Sequence, residues 1–310
     1  MSSELRLIGA EELRARLPMA AAVDALHEAF RTLDPEAGPL RTEVETPRGS
    51  LLLMPAFGER GVGVKLVTLT PANPGRGFPF INASYVLFDA ETQSPEAIID
   101  GTALTALRTA AVSGLATRHL AREDASLLVV FGAGVQARSH LEAMCTVRPV
   151  THLIVVSRSP AAAEALVQEG VDRGLEARRG DARAVADADL ICTCTTSEEP
   201  LFDGSVVRPG AHVNAVGSHR PESRELDTET VRRGRLVVET RAAALAEAGD
   251  LLIPMAEGTI QPQHVAADLT ETVRGAPVRR SPDDVTVFKS VGIAFEDLVV
   301  ARAIVDAPPA

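Results

Sequence analysis

A short glycine-rich segment is the first feature of the sequence that could do chemistry. It reads Phe131-Gly132-Ala133-Gly134-Val135-Gln136-Ala137 and follows an apolar run, Leu127 to Val130. Gly132 permits a tight turn, Gly134 lets the backbone approach a diphosphate, and the small Ala137 lets a helix pack closely on the preceding strand. The amino terminus of that helix would face the anion. The segment therefore predicts a dinucleotide-binding loop, with a glycine-rich turn of another α/β fold as the alternative.

The residues after the next apolar run bear on which dinucleotide is bound. An NAD site usually has Asp or Glu at this point, where the carboxylate accepts a hydrogen bond from the ribose 2′-hydroxyl. Here Ser157, Arg158 and Ser159 follow the run Leu153 to Val156. A guanidinium with two hydroxyls suits a 2′-phosphate, although Arg158 could also stack on the adenine. The segment favours NADP as the cofactor and leaves NAD possible.

The elements that must position these residues alternate between apolar runs and segments rich in Ala, Glu and Arg. The apolar runs cover 127–130, 153–156, 190–192, 212–216, 236–238 and 285–288. Buried parallel strands read as short apolar runs, and the segments between them have helical composition. The alternation predicts a doubly wound parallel sheet of the Rossmann type over residues 116–289.

The first third of the chain has a different pattern. Residues 11–33 predict a single helix, and the apolar runs 50–54, 63–69 and 83–88 predict strands bounded by Gly, Pro and Asn. Residues 104–120 are Ala-rich and apolar at a helical period, which predicts a long helix. We therefore expect a helix followed by a strand-rich α+β segment, separate from the alternating part of the chain.

Composition excludes several classes of protein. The chain has 310 residues, of which 45% are hydrophobic and 24% charged, and its formal net charge is −11. That charge and the scarcity of aromatic residues argue against binding to nucleic acid or to anionic membranes. The three cysteines fit neither a disulfide framework nor a zinc site, and no stretch resembles a signal peptide or a membrane span. We expect a cytoplasmic protein without a bound metal.

Five motifs together resemble the ornithine cyclodeaminase and mu-crystallin family from end to end. They are Val62-Gly63-Val64-Lys65, the segment from Asp100 to Ala111, Gly132 to Gln136, Asn214 to Ser218 with Arg224 to Asp227, and Phe288 to Asp297. The resemblance implies a Rossmann domain, residues 116–289, inserted into a substrate-binding and dimerisation domain that is formed by residues 1–115 together with 290–310. It also implies a homodimer that acts on a small amino or imino acid.

The resemblance assigns roles to several residues. The positions of Arg41, Lys65 and Arg108 hold the substrate carboxylate in the family, and Thr109 resembles a contact to the cofactor phosphate. Asp227 matches a general acid and base, and an N-cap of the helix starting at Thr228 is its structural alternative. His219 is left out of the catalytic set, because a lone histidine beside an arginine in a loop is more often solvated than catalytic.

Further contacts are expected on each side of the reaction. Met54 is assigned to the substrate pocket, although Met in an apolar run is more often core. Cofactor contacts are assigned to Thr195, Val216, Gly217 and Ser218 in addition to the residues of the glycine-rich loop.

One departure from the family limits the activity that can be carried over. Ornithine cyclodeaminases have a Glu two residues before the Met of the Met-Pro step, and this chain has Leu52 there, before Met54 and Pro55. We therefore expect an NADP(H)-dependent reductase of imino acids (ketimines) or an amino-acid dehydrogenase. The alternatives are a redox-neutral cyclodeaminase that converts ornithine to proline, and a non-catalytic protein that binds a dinucleotide or another small ligand.

Overall fold

The computed structural model describes residues 5–308 and divides the chain into two compact units. The first unit comprises the described residues of Met1–Arg108 and Ile293–Ala310, and the second is Thr109–Gly292. The division after residue 108 falls inside a long helix, α3 (Gly101–Leu120), which therefore contributes residues to both units.

The first unit is a six-stranded sheet with helices. The sheet order is β1-β6-β5-β4-β3-β2, and the β1–β6 pair is parallel whereas the other pairs are antiparallel. Its strands are β1 (Arg6–Ile8), β2 (Thr42–Thr46), β3 (Gly49–Gly58), β4 (Gly61–Leu69), β5 (Ile81–Phe88) and β6 (Pro95–Asp100). Its helices are α1 (Ala10–Arg16), α2 (Met19–Thr32), the start of α3 and α10 (Ala294–Asp306).

The single helix predicted over residues 11–33 is wrong, because two helices stand in its place. The helix α1 ends at Arg16, and α2 begins after Pro18, which takes the N-cap position in an extended conformation. Proline has no backbone N–H and disfavours helical geometry in the residue before it, so the apolar periodicity continues while the helix does not.

The two faces of this sheet have different environments. Along β4, Gly63, Lys65 and Val67 are buried and alternate with half-buried residues. Helix α10 packs against β3, β4 and β5 and also against α2, where the rings of Phe30 and Phe295 meet edge to face at 5.2 Å. The buried positions therefore form the inner face under α10, and the alternate positions form the outer face.

The second unit is an eight-stranded sheet in which every pair of neighbours is parallel, in the order β13-β12-β14-β11-β10-β7-β8-β9. Its strands are β7 (Leu127–Phe131), β8 (His152–Val156), β9 (Glu176–Arg179), β10 (Leu190–Thr193), β11 (His212–Ala215), β12 (Arg235–Val238), β13 (Val265–Asp268) and β14 (Thr286–Lys289). Its helices, besides most of α3, are α4 (Val135–Val147), α5 (Pro160–Asp172), α6 (Thr228–Arg233), α7 (Arg241–Glu247), α8 (Gly249–Ala256) and α9 (Leu269–Val273).

The predicted fold class is confirmed, with a parallel doubly wound sheet in one unit and an α+β arrangement in the other. All six predicted parallel strands are present. Two strands of this parallel sheet were not predicted: β9 has the polar sequence Glu-Ala-Arg-Arg, and β13 is only four residues long. Both lie at the edges of the sheet, where one side of a strand is unpaired and an apolar run is not required. No helix within residues 5–308 is long and apolar enough to cross a bilayer.

Candidate functional site

In the first unit, the predicted lysine and arginine meet on the first turn of α10. Lys65 lies on the inner face of β4, and its Nζ donates to Asp297 Oδ1 at 2.9 Å. Arg108 Nε donates to the same oxygen at 3.0 Å, and its Nη1 donates to Glu296 at 2.8 Å. Lys65 is 1% exposed and Arg108 4%, and both carboxylates are fully buried. The structure therefore brings together two predicted substrate cations that are 43 positions apart.

Three cations, Lys65, Arg108 and Arg41, lie near two carboxylates, so the formal charge of the group is positive. Burial, together with the neighbouring charges of Arg108 and Arg41, lowers the pKa of the Lys65 ammonium to about 8 against the opposing effect of Asp297. Arg41 stands half-buried just before β2 and is close enough to act on Lys65. An anion arriving here would relieve the repulsion among the three cations.

The ammonium of Lys65 also has unused hydrogen-bonding capacity. It carries three donors, and among the described residues its partner is a single carboxylate, that of Asp297. A buried donor that lacks a partner is costly. A ligand oxygen is the kind of group that would satisfy it.

The cations border an apolar cluster on the same face. Met54 stands opposite Lys65 in the β3–β4 register and packs with Leu52, Val67 and Leu69. Half-buried Phe80, Ile81, Ala83 and Ala294 complete this cluster. Leu52, which replaces the glutamate of the cyclodeaminases, is thus surrounded by hydrocarbon.

Glu296 and Asp297 were given no role from the sequence, although both lie in the motif from Phe288 to Asp297. They lie about 190 to 230 positions from the cations that they bind. A usable signal existed, because adjacent acids in an apolar helix must find cations if they are buried.

In the second unit, the glycine-rich loop joins β7 to α4 as predicted. Gly132 has a φ of +101°, and a Cβ there would lie 2.5 Å from the carbonyl oxygen of Cys194. Gly134 is the N-cap of α4, and a Cβ there would meet nothing within 4 Å. Ala137 is fully buried. The loop thus leaves open space in front of a helix amino terminus, which fits a diphosphate.

The predicted 2′-phosphate residues lie at the carboxyl end of β8. Ser159 caps α5, and its Oγ accepts from Ala162 N at 3.4 Å, whereas Arg158 is exposed. The neighbouring β9 ends at Arg179, which is also exposed. Neither Arg158 nor Arg179 has an ion-pair partner among residues 5–308, so this edge offers uncompensated positive charge.

Asp227 is the N-cap of α6, so the predicted capping role is confirmed. Its Oδ1 accepts from Thr230 N at 2.8 Å and from Thr230 Oγ1, and its Oδ2 accepts from Gly204 N at 2.9 Å. A carboxylate has about four acceptor positions, and three are used here. Its role in proton transfer stays a prediction. His219, expected to be solvated, is half-buried.

The remaining predicted cofactor residues lie on α3 and on two loops. Thr109 is buried on α3. Thr195 follows β10, and Val216, Gly217 and Ser218 follow β11. The ends of these strands are neighbours in the sheet. Within residues 5–308, no group of three His, Cys, Asp or Glu side chains could hold a metal ion.

Comparison with known proteins decides the family. The sequence profile of the ornithine cyclodeaminase/mu-crystallin family matches residues 6–308. The chain belongs to the ornithine cyclodeaminase/mu-crystallin family. The prediction of an NAD(P)-dependent oxidoreductase or cyclodeaminase of this family is thereby confirmed.

Members of the family with known activities show high similarity over most of their length. The mouse ketimine reductase mu-crystallin is 38% identical over 279 residues, which cover 86% of this chain and 84% of that protein. The Thermococcus litoralis pyrroline-2-carboxylate reductase, solved with NADH and L-proline, superposes with a TM-score of 0.92 at 37% identity and covers 97% and 96% of the two chains. An archaeal alanine dehydrogenase dimer with bound NAD gives a TM-score of 0.92 at 31% identity, with coverage of 98% and 96%.

Proposed function

We propose that this enzyme reduces a cyclic imino acid with one carboxylate, such as pyrroline-2-carboxylate, using NADPH. The observation that carries this proposal is the buried cluster of Lys65 and Arg108 on Asp297. With Arg41 nearby, the group has one more cation than carboxylates, and Lys65 has unused donors. Pyrroline-2-carboxylate and L-proline, which are named for related reductases, each carry a carboxylate.

Each residue then has a separate task. Lys65 and Arg108 bind the carboxylate, with Arg41 adding charge, and Glu296 and Asp297 hold the two buried cations in place. The nicotinamide cofactor supplies a hydride when bound. Asp227, through the acceptor position that its cap leaves unused, would exchange a proton with the substrate nitrogen or with water.

The cyclodeaminase alternative is supported less well. Ornithine carries a second ammonium, which needs a carboxylate in the pocket. At the position where cyclodeaminases have one, this chain has Leu52, packed among apolar side chains. Burying an unpaired ammonium there would be costly. An amino-acid dehydrogenase would use the same cations and stays compatible with the site.

NADP is the proposed cofactor, and the unpaired guanidinium groups of Arg158 and Arg179 support it. We expect Arg158→Ala to raise the Kd of NADPH about tenfold, because one charge-assisted hydrogen bond is lost. The Kd of NADH should stay unchanged. Titration of cofactor fluorescence measures both constants. Tighter binding of NADH than of NADPH by the wild-type protein would contradict the proposal.

We also propose that the enzyme is a homodimer that pairs through the outer face of the first unit's sheet. That face is apolar and only half-buried in one chain, and it carries Leu51, Leu53, Val62, Val64, Leu66, Val86 and Ile98. A contiguous apolar patch of this kind is uncommon on monomers. The related archaeal alanine dehydrogenase is a dimer. Localisation in the cytoplasm stays a prediction.

A substrate screen tests the function. Pyrroline-2-carboxylate, pyruvate with ammonia, and L-ornithine are each incubated with the protein and either cofactor, and reduced cofactor, ammonia and proline are measured. We expect pyrroline-2-carboxylate to be converted to proline with the loss of one NADPH for each proline formed. Ammonia and proline from ornithine without net loss of cofactor would establish the cyclodeaminase. Binding of cofactor without turnover of any substrate would favour a ligand-binding protein.

A further inference from the structure

A fully buried carboxylate joins the two loops for which cofactor contacts are proposed. Glu225 Oε1 accepts from Thr195 N at 2.8 Å and from Thr195 Oγ1 at 2.7 Å. Its Oε2 accepts from Thr193 Oγ1 and from Gly217 N, both at 2.7 Å. One carboxylate therefore ties the end of β10 to the end of β11.

A buried ion pair holds the same segment from the other side. Lys289 Nζ donates to the carbonyl oxygen of Ser218 at 2.6 Å and pairs with Asp250 at 2.7 Å. Asp250 in turn accepts from the backbone N–H groups of Glu225 and Leu226, each at 2.8 Å. Two oppositely charged groups thus fix the Gly217 N–H and the Ser218 C=O.

The packing leaves no room for a side chain between the two loops. A Cβ on Gly217 would overlap the carbonyl oxygen of Thr195 and the carboxylate of Glu225. The position therefore requires glycine because of close approach, and the carboxylate fills the space that separates the loops.

The peptide group between Gly217 and Ser218 is not used by these contacts. Among the described residues, neither the Gly217 C=O nor the Ser218 N–H has a hydrogen-bond partner, although Ser218 is buried. Buried backbone groups are almost always paired. The peptide is trans, so these two groups point in opposite directions, and a primary carboxamide could bond with one of them: its NH2 with the Gly217 C=O, or its carbonyl oxygen with the Ser218 N–H.

We propose that Glu225, with Lys289, is a positioning residue that keeps the Gly217–Ser218 peptide available to the nicotinamide half of the cofactor. In a doubly wound sheet the two halves of a dinucleotide bind to the two halves of the strand order. Here β7, β8 and β9 form one half, and β10 and β11 belong to the other. The hydrogen bonds of Glu225 fix the loops of the second half only, those that follow β10 and β11. This inference rests on the proposed binding of NADPH.

The test compares NADPH with 2′-phospho-ADP-ribose, which lacks the nicotinamide. Glu225→Gln keeps the size of the side chain but places an amide where four donors converge, so the loops lose part of their support. We expect the Kd of NADPH to rise about tenfold and the Kd of 2′-phospho-ADP-ribose to stay within about twofold of the wild-type value.

The matched control is Asp189→Asn. Asp189 is a buried carboxylate at the opposite end of β10, where it accepts from the backbone N–H groups of Ser126 and Leu127 at 2.9 and 3.0 Å. This variant should lower the melting temperature and leave both dissociation constants unchanged. It shows the effect of losing a buried carboxylate away from the predicted cofactor loops.

Each outcome bears on the proposal. An NADPH Kd within twofold of wild type in Glu225→Gln would overturn it, as would equal weakening of both ligands, which marks a merely structural role. If Glu225→Gln does not fold, Thr193→Val removes one of the four donors with little change of shape, and the same selective loss, about threefold, is expected. Failure of the wild-type protein to bind NADPH would instead refute the proposed function.

Discussion

The two units contain two different kinds of candidate anion site. The second unit offers backbone N–H groups at the start of α4 and glycines that clear space in front of them. The first unit offers charged side chains, Lys65 and Arg108, that are buried and held by Glu296 and Asp297. Backbone recognition carries no ionisable group, whereas side-chain recognition depends on a pKa. The difference predicts that rising pH and substitutions of the buried cations act mainly on substrate binding, whereas cofactor binding depends on side-chain charge only at the contact proposed between Arg158 and the 2′-phosphate.

The largest effect is expected from removing the lysine. Lys65→Met leaves Asp297 with one cation instead of two and removes the donor with unused capacity. We expect kcat/KM for pyrroline-2-carboxylate to fall roughly a thousandfold, equivalent to about 4 kcal/mol, while the Kd of NADPH is unchanged. Steady-state kinetics and cofactor titration measure the two quantities.

Arg302→Met is the matched control for that substitution. Arg302 is a cation on the same helix as Asp297, and it pairs with Glu96 and Asp306. We expect a lower melting temperature and an unchanged kcat/KM. A loss of activity in this control equal to that in Lys65→Met would show that the cluster only stabilises the fold.

Asp227 tests whether a cap can also transfer protons. Asparagine caps helices about as well as aspartate but cannot act as an acid or base. Asn keeps the cap on Thr230 but turns its NH2 towards the Gly204 N–H, so we expect Asp227→Asn to lower the melting temperature slightly and to lower kcat about a hundredfold. A wild-type kcat in this variant, together with a loss in His219→Gln, would assign proton transfer to His219.

The pH profile follows from the lowered pKa of Lys65. The ammonium is charged below about pH 8 and neutral above it. Binding of a carboxylate to the free enzyme should therefore weaken as pH rises through this value, so kcat/KM falls while the Kd of NADPH does not. Lys65→Arg keeps its charge throughout and should lose this decline. A flat profile in the wild-type enzyme would contradict the assignment.

The smallest effect concerns stability of the second unit. Burial lowers the pKa of His140 to about 4 and that of His212 to about 3, from 6.5. The folded state thus binds fewer protons than the unfolded state, and stability is retained above pH 6.5 and lost below it. We expect a loss of roughly 2 kcal/mol per histidine at pH 5, measured by urea unfolding. His140→Gln should reduce this dependence, and an unchanged dependence would refute the cause.

The two candidate sites differ in how far they could be predicted from the sequence, because one is formed by neighbouring residues and the other by distant ones. The cofactor loop is formed by neighbours in sequence, so Gly132, Gly134 and Ala137 could be interpreted where they stand. The carboxylates that hold Lys65 and Arg108 come from the far end of the chain, and no local pattern links them. Edge strands such as β2, which is exposed along its length, lack the apolar signal that reveals central strands. The apolar periodicity continues through Pro18, so periodicity alone predicts one helix where the proline separates two.

The most direct test measures hydride transfer to the substrate and its dependence on Lys65 in one experiment. NADPH deuterated at the transferred position is mixed with pyrroline-2-carboxylate and stoichiometric enzyme, and the proline formed is analysed by mass spectrometry in the wild type and in Lys65→Met. The account predicts proline labelled with deuterium at the α-carbon from the wild-type enzyme, and almost none from the variant with NADPH still bound. Unlabelled proline, or equal labelling in both proteins, would contradict it.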